Sequence, residues 1–416
     1  MPDRGTTAAR RAVVIGGSMG GLFTALLLRR AGWRVDVFER VGGELAGRGA
    51  GIVTHEELFE VLGRAGIDAD PAALGVSVPG RRVLDREGGV AGEVRLDQVL
   101  TSWGRLHALL RAALPDAHHH HGKALERVEE GAAGVAAHFA DGTRAEGDVL
   151  VGADGLFSTV RRQFLPEVRP HYVGYVAWRG LVDEAELSAE TRRTLCDWFA
   201  FSLPSGEQML GYPVAGADEA VAPGRRRFNF VWYRPAAAGG ELRELLTDTS
   251  GVAHELSIPP DRIRPAVMDR MRADAERLLA PQFAEVVRRT RQPFLQAILD
   301  LETPRMVLGQ TRRVAILGDA AFVARPHVGM GVTKAAADAA ALARALEDDP
   351  DDVPRALDAF EGARRPYGAA VIRRARELGA YMQAQLLTEA ERAMAERHRS
   401  PEAVMAETAV ATGIAA

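Results

Sequence analysis

"VVIGGSMGGL", residues 13–22, joins an apolar run to small, flexible residues and then to a second apolar stretch. A Gly-rich turn of this kind either cradles a dinucleotide or only reverses a strand into a helix, and its surroundings decide between the two. On its N-terminal side "RAVVIGG" reads as a short buried parallel strand. On its C-terminal side "MGGLFTALLLRRAG" places Leu22, Leu26 and Leu27 at helical spacing, with Gly32 as the stop. "RVDVFER" then reads as a second strand, so strand, turn, helix and strand follow within about 30 residues, the unit that a dinucleotide site requires. Glu39 ends the second strand 23 residues after Gly16, close to where an acidic side chain meets a ribose hydroxyl. Ser18 stands where a glycine is usual. It is small enough to preserve the close approach of backbone to phosphate.

Two later segments repeat the pattern of an apolar strand ending in an acidic residue beside glycine. "VLVGADGLFSTVRR" (149–162) ends its strand at Asp154-Gly155, and "RRVAILGDAAFVARPHVGMGVTKAAADAAALARAL" (312–346) ends its strand at Gly318-Asp319, before an Ala-rich helix. A carboxylate there accepts from sugar hydroxyls, and the glycine lets a ligand lie on the backbone.

In this order and at these separations, the three segments resemble the FAD-dependent aromatic hydroxylases, the single-component class A flavoprotein monooxygenases, nearly to residue 380. "RGAGIVTHEEL", "GYVAWRGLV", "FNFVWYRP" and "GDAAFVARPHVGMGVTKAAADA" look most like the 2,6-dihydroxypyridine 3-hydroxylase branch. The resemblance implies an α/β fold: a Rossmann-like FAD-binding domain of the p-hydroxybenzoate hydroxylase type, a β-sheet substrate domain and C-terminal helices. Residues 1–75, 101–170 and 286–350 are expected to form the FAD domain, 76–100 and 171–285 the sheet, and 351–416 the helical segment. FAD is expected to be tight and non-covalent, and NADH or NADPH to visit transiently. The implied reaction is hydroxylation of a small aromatic or N-heteroaromatic substrate with O2 through a C4a-hydroperoxyflavin.

By the same resemblance, Gly16, Ser18, Met19, Gly20 and Gly21 cradle the pyrophosphate, Glu39 and Arg40 lie at the adenosine end, and Arg48, Gly49 and Arg105 approach the FAD. Asp154 stands between FAD and the path of the nicotinamide, and Asp319 at the ribityl chain. Pro326, Gly329, Met330 and Gly331 bring backbone against the flavin ring. The loop here reads Pro326, Gly329-Met330-Gly331, Thr333, and so lacks the Gln and Asn side chains that the family commonly has. His55, His327, Tyr212 and Tyr233 are the candidates to meet substrate, as acid–base or hydrogen-bonding groups. On "RRFNFVWYRP", Phe228, Phe230 and Trp232 share one face, and Asn229, Val231 and Tyr233 the other.

Composition limits the alternatives. Net charge is -4 with 26% charged residues, which gives no reason to expect a nucleic-acid partner. One cysteine, Cys196, excludes an internal disulfide framework and leaves no pair for a structural zinc; no metal site is expected. No signal-peptide core and no membrane span are readable, so the expectation is a cytoplasmic protein, with a homodimer left open. "HHHH" (118–121) reads as a loop entering a strand. A halogenase is disfavoured because "CDWFAFSLP" does not match the WxWxIP helix and the two lysines, Lys123 and Lys334, lie in the wrong context. A reductase or oxidase of the same fold, and a non-catalytic flavin-bound partner in a biosynthetic assembly, stay open.

Overall fold

A computed structural model of the chain describes residues 9–43, 45, 51–386 and 388–411. The strand Arg11–Ile15 lies near the centre of a six-stranded sheet, flanked in parallel by Arg34–Phe38 and Val149–Gly152. Val314–Ile316 continues the parallel order beyond Val149–Gly152, and Val307–Leu308 closes that edge antiparallel. His119–His120 forms the other edge, so the histidine run is half turn and half strand, and His118 and His120 both face Asp36. Helix Met19–Arg30 packs its buried face, including Leu22, Leu26 and Leu27, against this sheet and against helix Gly331–Asp348. Each such fully buried leucine contributes about 1.5–3 kcal/mol.

A nine-stranded, mostly antiparallel sheet makes the second layer, in the order 322–323, 294–302, 171–183, 227–235, 208–214, 199–202, 76–84, 90–102, 51–53. Its pleat sorts the aromatics. Phe228, Phe230 and Trp232 pack with Val267, Met271 and Phe283 of helices Pro265–Leu278 and Pro281–Arg289. Val231 and Tyr233 turn to the other side with Phe199, Leu210 and Tyr212. A three-stranded sheet (125–130, 135–139, 144–147) extends the nucleotide side.

Two boundaries differ from the sequence reading. Strand Phe294–Glu302, expected in the 286–350 part of the FAD domain, pairs with His171–Asp183 in the large sheet. Gly51–Val53, expected in 1–75, pairs with Val90–Ser102 of the same sheet. Both belong there because their backbone hydrogen bonds are spent on that ladder. Helix Val353–Gly379 runs through Pro366 and buries Leu357, Phe360, Val371 and Leu378. Among the described residues no helix is long and apolar enough to cross a membrane.

Candidate active site

The two sheets enclose a cavity of about 760 Å³, and the ends of the nucleotide-side strands open into it. At the first of these ends Gly16 takes φ +108, a conformation that side chains oppose, and a Cβ there would lie 2.3 Å from the Ala153 carbonyl oxygen. A Cβ on Gly21 would lie 1.8 Å from the Gly16 carbonyl oxygen, so the helix can pack onto the turn only with glycine at that spacing. Ser18 caps helix Met19–Arg30 by position, but its side chain makes no capping bond. The first N–H groups of the helix are therefore left for a ligand, and Ser18, Met19 and Gly20 lie on the cavity wall. The Glu39 carboxylate is buried and accepts from the Gly17 N–H at 2.8 Å and the Val41 N–H at 2.9 Å, which ties the end of the second strand to the turn. Arg40 points to solvent.

The other two strand ends complete this side. Ala153 and Gly155 line the cavity, while Asp154 accepts from the Thr159 and Val160 N–H groups through Oδ2 and leaves a buried Oδ1 without a partner. Burial raises its pKa against those hydrogen bonds. Asp319 borders the cavity itself, and its side chain is open to that space. Burial raises its pKa; the Lys334 cation opposes the shift and Asp338 adds to it. Asp338 is buried, accepts from the Gly318 N–H at 3.1 Å and pairs with Arg364 at 2.8 Å and Lys334 at 3.6 Å, fixing the turn that carries Asp319. Beyond it, Pro326, Gly329 and Gly331 form the wall. Met330 turns its side chain away, against Val328, Tyr367 and Val371. Helix Gly331–Asp348 also starts without a side-chain cap.

Two uncapped helix N-termini, a glycine cradle that a Cβ would fill and two carboxylates at strand ends suit a dinucleotide whose phosphates need N–H donors and whose sugars need acceptors. By donor chemistry and shape, the residues present fit FAD.

Phe199, Leu210, Val231, Tyr212, Tyr233, Arg179 and Gln296 make the sheet-side wall. Tyr212 and Tyr233 are 4% and 2% exposed, and among the described residues neither hydroxyl has a hydrogen-bond partner. Burial pushes both phenols up, Tyr233 to about 12, with the Arg179 cation opposing. Arg179 donates to Gln296 Oε1 at 3.3 Å.

The two histidines stand differently from expectation. His327 lies on the expected loop, but its imidazole is turned away from the cavity, between the Tyr175 hydroxyl at 2.8 Å and Gln208 Oε1 at 3.2 Å. With Gln208 accepting from Nδ1–H, Nε2 accepts from Tyr175; the tautomer follows from these partners. Burial first, and Arg325 second, push its pKa down to about 3. The physical reason for its orientation is that a buried imidazole goes where both nitrogens find partners. His55 Nδ1 is 3.1 Å from Thr333 Oγ1, and the Ala409 backbone lies beside the ring. Burial lowers its pKa, and that backbone group opposes the shift. Arg105 pairs with Glu219 and the Ala73 carbonyl rather than lining the cavity. Arg48 and Gly49 lie outside the described residues.

Sequence reading passed over Arg179, Gln296, Asp338 and the Thr408–Ala409 pair. Arg179 was findable: it faces Val231 across the ladder, on the face that also carries Tyr233. Thr408 and Ala409 carried no signal, because nothing local in a helical, Ala-rich segment marks a cavity wall.

Comparison with known proteins agrees with this geometry. Residues 172–300 match the family described as FAD binding domain-like. The chain is 33% identical over 376 residues to the 2,6-dihydroxypyridine 3-monooxygenase of Paenarthrobacter nicotinovorans, covering 90% of this chain and 91% of the relative. The structure of 2,6-dihydroxypyridine-3-hydroxylase from Arthrobacter nicotinovorans superimposes with a TM-score of 0.84 at 31% identity, over 91% of this chain and 94% of that one. A Klebsiella pneumoniae HpxO variant complexed with FAD gives a TM-score of 0.75 at 25% identity, over 96% and 95% of the two chains.

Proposed function

The chain belongs to the FAD-dependent aromatic monooxygenases, and on that premise we propose that its substrate is a small hydroxylated N-heteroaromatic ring of the dihydroxypyridine kind, held against the inner face of the large sheet. When bound, FAD supplies electron transfer from NAD(P)H and the activation of O2. The chain's own residues bind, orient and enclose. The N-terminus of helix Met19–Arg30, with Gly16, Ser18, Gly20 and Gly21, would hold the pyrophosphate. Glu39 would hold the adenosine ribose, and Asp319 the ribityl chain. The N–H groups at the start of helix Gly331–Asp348 would stabilise negative charge on the reduced ring.

The observation that carries the substrate reading is convergence. Two buried phenols with no hydrogen-bond partner among the described residues share a cavity wall with Arg179, Gln296 and the apolar Phe199, Leu210 and Val231. An apolar wall with a few placed polar groups suits a flat ring bearing oxygens. Arg179 would pair with the ring oxide, lowering the cost of its deprotonation, while Tyr212 and Tyr233 donate to ring oxygens. His55, its pKa lowered by burial, hydrogen-bonds Thr333 Oγ1 behind the cavity wall, beside the backbone of Ala409.

The test is Arg179→Met against wild type with 2,6-dihydroxypyridine. Loss of a charge-assisted pair, about 1.5–3 kcal/mol, should raise the dissociation constant by about tenfold or more while FAD content is kept. An unchanged constant removes Arg179 from the ring site. We further read the enzyme as cytoplasmic, which its single buried thiol, Cys196, supports, and as a homodimer, which light scattering tests.

A further inference from the structure

Helix Pro401–Glu407 ends at the cavity rather than on the surface, and Thr408 and Ala409 both stand on its wall. The junction is tight. The Ala409 N–H donates to the His327 carbonyl at 2.6 Å, and a Cβ on Gly329 would lie 2.6 Å from the Ala409 Cβ. Ala409 therefore packs directly on the loop that borders the expected flavin ring, and it does so at φ 53, in the left-handed region that non-glycine residues rarely occupy. His55 lies against the backbone of the same residue.

This placement is held by an unusual side chain. Arg81 is 0% exposed, and its guanidinium has no carboxylate partner among the described residues. Nη1 donates to the carbonyls of Met405 at 2.7 Å and Thr408 at 2.6 Å, while Nε and Nη2 donate to Gln98 Oε1 at 3.0 and 2.7 Å. Burying an arginine is costly unless its donors are used, and here Nη1 serves two carbonyls, those of Met405 and Thr408, at the C-terminal end of one helix. The cation also lies over the Phe199 ring, 4.9 Å from its centroid, and Phe199 is itself part of the cavity wall. Strand Val76–Leu84 and the strap formed by residues 405–409 are thus locked through one side chain.

Resting on the ring-site reading above, we propose that Thr408 and Ala409 form a wall of the substrate site, that Ala409 sets how large a ring is accepted, and that Arg81 is the positioning residue that holds this wall. Ala409 lines the cavity, packs in one cluster with Tyr212 and Tyr233 and abuts Gly329, so bulk added at 409 competes with the ring for space.

The experiment uses the FAD-loaded protein without NAD(P)H. It follows the visible flavin spectrum during titration with a one-ring probe, 2,6-dihydroxypyridine, and a two-ring probe, 2,4-dihydroxyquinoline. The readout is the ratio of the two dissociation constants. Ala409→Asn adds bulk with a residue that tolerates the left-handed backbone, and Ala409→Gly removes bulk and relaxes that backbone. The ratio is expected to shift against the two-ring probe by tenfold or more in Ala409→Asn and severalfold toward it in Ala409→Gly, with FAD content unchanged. Arg81→Gln should shift the ratio toward the two-ring probe, and Arg81→Lys, which can still donate to a strap carbonyl, should restore it; a purely structural role for Arg81 would lower stability and leave the ratio alone. If Ala409→Asn does not fold, the ratio in Ala409→Gly decides. Wild-type ratios in the Ala409 variants overturn the wall. A wild-type flavin spectrum that responds to neither probe overturns the ring-site reading before any variant is compared.

Discussion

His327 carries its imidazole in a buried network in which one nitrogen donates to Gln208 and the other accepts from Tyr175. Its pKa in the folded protein, about 3, is below its ordinary value of 6.5, so the unfolded chain binds the extra proton. Stability from this residue is whole above pH 6.5 and is lost as pH falls through the window toward 3, at up to about 1.4 kcal/mol per pH unit. Thermal unfolding between pH 4 and 8 should therefore show a shallower acid-side slope in His327→Gln than in wild type, and equal slopes would remove His327 as the cause. Glu39 is the residue that sequence singles out by its distance to Gly16. In the structure its carboxylate accepts from the Gly17 and Val41 N–H groups. Glu39→Ala should weaken FAD by about tenfold or more, roughly 1.4 kcal/mol, when apoprotein is titrated with FAD and flavin fluorescence is followed. Unchanged affinity would separate Glu39 from the cofactor. The orientation of His327 was not legible, since a loop motif places a backbone but does not say which partners a side chain will find.

At the scale of elements, the Gly-rich turn, its helix and the strands that follow were readable because local periodicity and a glycine requirement coincide there. The two faces of strand Arg227–Pro235 were readable for the same reason, from period-two alternation. Phe230 belongs to the face packed under helices Pro265–Leu278 and Pro281–Arg289, away from the cavity. Phe230→Ala should accordingly cost about 3–5 kcal/mol in denaturant unfolding and leave FAD affinity as in wild type. A loss of FAD affinity without a loss of stability would contradict the assignment of faces. What sequence misplaced were elements whose partners lie far along the chain. Phe294–Glu302 joins the large sheet through His171–Asp183, and Gly51–Val53 joins it through Val90–Ser102. Pairing over such separations leaves no local periodic trace.

The whole molecule is a cavity shared by two sheets: one supplies strand ends and helix N-termini, the other a wall with two phenols and an arginine. Residues 408–409 complete the enclosure from the far end of the described chain. Enclosure matters for an oxygen-transferring flavin enzyme, because water admitted to the site diverts reductant into peroxide. The central claim is that the chain hydroxylates a ring with one atom of O2. The most direct measurement is turnover of 2,6-dihydroxypyridine by FAD-loaded protein with NADH or NADPH under isotopically labelled O2, with the product's mass and peroxide yield read together. The ring is expected to accelerate NAD(P)H oxidation, and the product to gain one labelled oxygen atom with little peroxide. NAD(P)H oxidation that no hydroxylated pyridine, quinolone or phenol accelerates, or a product without labelled oxygen, would contradict it.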